Sequence, residues 1–136
     1  MNKTIVIHPD GTYERKEWPE GQRPELGWYN QQVEGYIEAV PYWQTFIDDD
    51  MQTVPCIAYC NEDGKGPSTY GDGRTEPLRY NLVADRAWDA ALRRVRGADG
   101  LQWFPKGVYD LQDHLVGNIV VVIGDRWFQG EEDDDG

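Results

Sequence analysis

The chain has 136 residues, carries 25 acidic against 13 basic side chains for a formal net charge of −12, and is 39 % hydrophobic. That length suits one domain with a core that needs no metal or disulfide staple. Six Trp and eight Tyr exclude disorder throughout, the charge disfavours direct nucleic-acid binding, and no apolar run reaches the length of a membrane-spanning helix.

From the N-terminus, Thr4–His8 and Thr12–Trp18 flank Pro9-Asp10-Gly11. Pro presets the first turn position, Asp tolerates the second and Gly supplies a left-handed third, so the pattern predicts a hairpin. Lys3, Glu14, Arg15, Lys16 and Glu17 make it polar, as expected near a sheet edge. The start, MNKTIVIHPDG, has too short an apolar stretch for a secretory signal, which makes the cytoplasm the default location.

Glu20–Glu25 reads as a connection and Glu25–Val33 as a short helix, with Leu26, Tyr29 and Val33 on one side and Gly35 as its stop. Tyr36–Trp43 reads as a strand with Pro41 near its end. Val54–Cys60 reads as its hairpin partner, and Asp48-Asp49-Asp50 falls in the exposed loop between them. Cys56 and Cys60 share one face of that second strand, roughly 13 Å apart, too far for a disulfide. With no His nearby they complete no zinc site.

Gly64–Glu76 is the longest loop candidate. Over Leu82–Arg96, the residues Ala84, Ala87, Trp88, Ala91, Leu92 and Val95 form a continuous apolar stripe at helical spacing. Asn81 or Asp85 can cap its start and Gly97 its end. Leu101–Leu115 is irregular. Ile119–Ile123 is an unbroken β-branched run, the pattern of a central strand covered on both faces. The expected fold is a single α+β domain over residues 1–130. It has a mostly antiparallel sheet of about five strands and the Leu82–Arg96 helix packed on one face, followed by a solvated acidic tail, Glu131–Gly136.

No constellation for catalysis stands out. His8 and His114 are the only histidines and neither has a Ser or Cys beside it in sequence. Asp48–Asp50 lacks the further oxygen ligands a cation needs, and Lys65 in Asn61-Glu62-Asp63-Gly64-Lys65-Gly66 stands where a calcium loop needs an oxygen. Gly64-Lys65-Gly66-Pro67-Ser68-Thr69 lacks P-loop spacing. No catalytic residue, metal or cofactor is therefore expected.

Two binding readings remain. Arg93, Arg94 and Arg96, joined by Arg74 and Arg79, form the one basic cluster, suited to a nucleotide or other small anion. Cations at a helix C-terminus are also placed there by the helix dipole alone. Acids and aromatics interleave in the N-terminal half at Trp18, Trp28, Glu34, Glu38, Trp43 and Asp48–Asp50. Exposed rings beside carboxylates suit a protein-binding face, one that could partly imitate DNA towards a basic enzyme. Residues 1–70 hold 12 acids and 5 bases, whereas residues 71–130 hold eight of each, so mimicry could occupy one face at most.

GYIEAVP, then a strand entering Asn61-Glu62-Asp63-Gly64, then Asn81-Leu82-Val83-Ala84 opening a helix with Ala87 and Ala91, then Gly117-Asn118-Ile119-Val120-Val121-Val122, together resemble a family of small domains of unknown function. That family occurs in phages and bacterial mobile elements. The resemblance spans about residues 35–125 and rests on turns, caps and a central strand. Pro67–Glu76 looks like an insertion, and family members often carry Pro where this chain has Leu82 or Val83. It implies a phage origin, residence in the host cytoplasm and no catalytic residues to carry over. The expected function is a non-catalytic phage accessory protein that binds a basic host protein. The alternatives are a small-anion binder and an enzyme of undetected class.

Overall fold

A computed structural model describes residues 2–62, 78–96 and 114–130, the side chains of Val95 and Arg96 excepted. The expected loop at 64–76, most of 101–115 and the tail lie outside the described residues. Among the described residues six strands and two helices follow in the order β1 (Lys3–Ile7), β2 (Tyr13–Glu17), α1 (Leu26–Val33), β3 (Ile37–Ala39), β4 (Thr45–Ile47), β5 (Thr53–Asn61), α2 (Leu82–Arg96) and β6 (Ile119–Ile123). All pairings are antiparallel, in the order β2-β1-β6-β5-β3, with β4 also on β5. The fold is α+β.

β6 is central, between β1 and β5, and all five of its residues are buried. Successive side chains leave opposite faces of a strand. Ile119, Val121 and Ile123 join Ile5, Ile7, Ala58, Ala84, Trp88, Ala91 and Leu92 beneath α2. Val120 and Val122 join Val6, Tyr29, Val33 and Phe128 beneath α1. A helix on each face explains why β6 needs no polar alternation.

The first hairpin closes as expected. Gly11 N–H donates to His8 O at 2.9 Å and His8 N–H to Thr12 O at 2.9 Å, with Gly11 at φ +90°. The Asp10 carboxylate accepts from Thr12 N–H and Oγ1–H, which holds its carboxyl below the usual value.

Two expectations need correcting. The α1 stop is not Gly35: the left-handed residue is Glu34, at φ 63°, and Gly35 N–H closes the end by donating to Asn30 O. The β5 residue Asn61 donates to Val33 O and Glu34 O, so sheet and helix terminus are tied together. Tyr36–Trp43 is not one strand. β3 ends at Ala39, and β4 resumes the same edge, so that residues 40–44 face only residues 56–58 of β5. Pro41 lacks the N–H that would continue the ladder. Tyr42 turns to φ 62° and Trp43 swings into the core, 2 % exposed. The Asp48–Asp50 loop is a tight turn, with Asp49 and Asp50 exposed as expected. Asp48 N–H donates to Gln52 O and Met51 N–H to Asp48 O.

Ala84, Trp88, Ala91 and Leu92 are buried on α2 as expected. Asn81 is the cap, its Oδ1 accepting from Ala84 N–H at 3.0 Å. Its Nδ2 donates to Ile7 O and Gly117 O, joining α2 to the first hairpin and to the approach to β6.

Candidate functional site

The expected protein-binding residues separate into different roles. Trp43 is core, its indole N–H donating to Thr45 O. A buried ring offers a partner no surface, so Trp43 is removed from the candidate face. Trp18 and Trp28 are half-buried and stack edge to face at 5.4 Å, with Trp18 donating to Thr4 Oγ1. Asp48 accepts from Asp50 N–H and Gln52 N–H and lies 3.8 Å from the Lys3 ammonium, so it organises its turn. Asp49 pairs with both terminal nitrogens of Arg15, and Asp50 is exposed.

Glu34 and Glu38 remain at the surface with Tyr36 between them, and the structure adds Glu62, which is not among the binding residues the sequence suggests. Tyr36, 60 % exposed, accepts at its carbonyl from Glu62 N–H. Glu38 pairs with Cys60, so Glu62, two residues on, lies diagonally across the same sheet face, roughly 7–8 Å away. Both carboxylate residues line a cleft of about 220 Å³ whose walls include Val40, Trp88, Leu115 and His114. No strand lies beyond β3 among the described residues.

His114 belongs to a second network at the cleft. Its Nδ1 lies 3.2 Å from Asp85 Oδ2, which also accepts from the Tyr80 hydroxyl at 2.9 Å. Asp85 Oδ1 accepts from Leu115 N–H, which fixes the carboxylate. Desolvation and the bond to Asp85 raise the Tyr80 hydroxyl above its usual value. Tyr80, Asp85 and His114 have no telling spacing in sequence. They meet because Tyr80 pairs with Val116 in an isolated bridge.

The described arginines of the cluster, Arg79, Arg93 and Arg94, have separate roles. Arg93 pairs with Asp89 one helical turn back. Arg94 donates to Thr45 Oγ1 and Thr45 O, clamping α2 to β4. Arg79 is exposed, and its carbonyl accepts from Gly117 N–H. Arg74 and the Arg96 side chain lie outside the described residues.

Cys56 and Cys60 are reduced thiols. Burial pushes Cys56 up to about 12, with Arg94 opposing, as suits the core side chain it is. Among the described residues no three His, Cys, Asp or Glu side chains are placed to hold a metal, and no helix is long and apolar enough to cross a membrane. Comparisons with protein-family models, curated proteins and solved structures returned no match.

Proposed function

We propose that the protein is a non-catalytic accessory protein that binds a basic host protein through the β3 edge. The observation that carries this reading is the pair Glu38 and Glu62 on one cleft, with exposed Tyr36 beside them and Glu34 on the adjoining helix end. Two carboxylates over an apolar floor fit a lysine or arginine side chain, whose stem packs below while its charge stays at the rim. The family resemblance adds a phage origin and a host-cytoplasm setting, and a DNA-binding or defence enzyme is the kind of partner whose basic surface this edge would occupy.

The test is capture from host lysate at low and high salt with the wild type and with Glu38→Lys/Glu62→Lys. A basic protein retained by the wild type, lost at high salt and lost with the double variant, supports the reading. Retention by the charge-reversed variant overturns it.

One observation favours a second reading. Asp85 engages Nδ1 of His114, which leaves Nε2 to serve as a general base or acid in the cleft His114 lines. His114→Gln separates the two: it would abolish a hydrolytic or proton-transfer activity and leave salt-sensitive capture intact.

A further inference from the structure

We propose that two copies of this chain join β2 to β2, making one continuous antiparallel sheet centred on Arg15. Among the described residues β2 is the outermost strand of the order β2-β1-β6-β5-β3, and all five of its residues are exposed. Its inward side is set by the ladder to β1: Thr12 O accepts from His8 N–H, and Trp18 N–H donates to Asn2 O. The even-numbered residues therefore spend their backbone groups on β1. Tyr13, Arg15 and Glu17 turn N–H and C=O outwards, where an antiparallel strand can take them.

The sequence of the strand, Tyr13-Glu14-Arg15-Lys16-Glu17, is complementary to itself in that register. Arg15 then faces Arg15 of the second copy as a hydrogen-bonded pair, and Tyr13 faces Glu17. Glu14 faces Lys16, twice, in the non-hydrogen-bonded positions where side chains approach most closely.

The like-charged central pair is already answered, because each Arg15 guanidinium is held by Asp49 of its own chain. Glu17 of the opposite copy is its diagonal neighbour on the same face. Lys residues on an edge strand ordinarily deter pairing. Here the alternation of sign turns that deterrent into a match for this one partner. The two-fold axis stands normal to the sheet, an isologous arrangement, and leaves both β3 edges at the far ends.

The test is sedimentation equilibrium across a concentration series on the wild type, Lys16→Glu, and the swap Glu14→Lys/Lys16→Glu, each checked for an unchanged circular dichroism spectrum and melting temperature. Lys16→Glu should weaken dimerisation at least tenfold, because both cross-strand pairs become repulsive, and the swap should restore it. A wild type that stays monomeric at millimolar concentration overturns the proposal. A dimer indifferent to Lys16→Glu overturns it equally, since it must use another surface.

Discussion

Met51 adopts φ 60° and is 81 % exposed. It occupies the position in the β4–β5 turn that Gly11 occupies in the first hairpin, since both residues donate their N–H three positions back and precede the residue that closes the ladder. A left-handed conformation costs a side-chain-bearing residue about 1–2 kcal/mol, while Gly loses more chain entropy on folding by about 0.5–1 kcal/mol. Met51→Gly should therefore stabilise the protein by about 0.5–1 kcal/mol, read as a higher denaturant midpoint at unchanged m-value. A lower midpoint would show that the Met51 side chain makes a contact worth more than its backbone strain.

Asn81 illustrates the opposite case, a polar side chain with no exposure and every bond made. Asn81→Asp keeps the helix cap but sets an oxygen against the carbonyls of Ile7 and Gly117. Two buried acceptors lose their donor and a charge is introduced, so a loss of about 2–4 kcal/mol in urea unfolding is expected. The sequence displayed Asn81 as a cap candidate. Its bonds to Ile7 and Gly117 were not legible, because they join residues brought together only by the finished sheet.

At the scale of elements, α2 was readable because its stripe obeys a 3.6-residue period, and of the described stripe residues Ala84, Trp88, Ala91 and Leu92 are buried and Ala87 is partly buried. Trp88 is 3 % exposed and its indole N–H donates to Pro41 O at 2.9 Å. Trp88→Ala removes that bond along with a large ring, and should cost about 3–5 kcal/mol by thermal or denaturant unfolding. A change under 1 kcal/mol would mean that α2 is seated differently. The break between β3 and β4 was not readable. Pro41 signalled an interruption, but the apolar run through Trp43 looks the same whether the strand continues or turns its tryptophan inwards. The pattern therefore suits Trp43 to a binding face, whereas in the structure it belongs to the core.

For the molecule as a whole, charge sorting was visible in composition and its location was not. Several N-terminal acids serve local structure, Asp10 and Asp48 in turns and Asp49 on Arg15. Glu38 and Glu62 stand 24 positions apart and share a cleft only through the β3–β5 register.

The strand order also has a kinetic consequence. β6 is the strand that joins the two halves of the sheet, pairing Ile5 with Val121 and Tyr59 with Val120. A ribosome that has made every residue up to Gly117 has produced, among the described residues, two sets of strands that no strand yet joins. Non-local pairing of this kind closes long loops before it gains contacts, so folding should be slow and should wait on the last strand. A fragment ending at Gly117 should show no cooperative melting transition, and supplying residues 118–130 as a separate peptide should restore one.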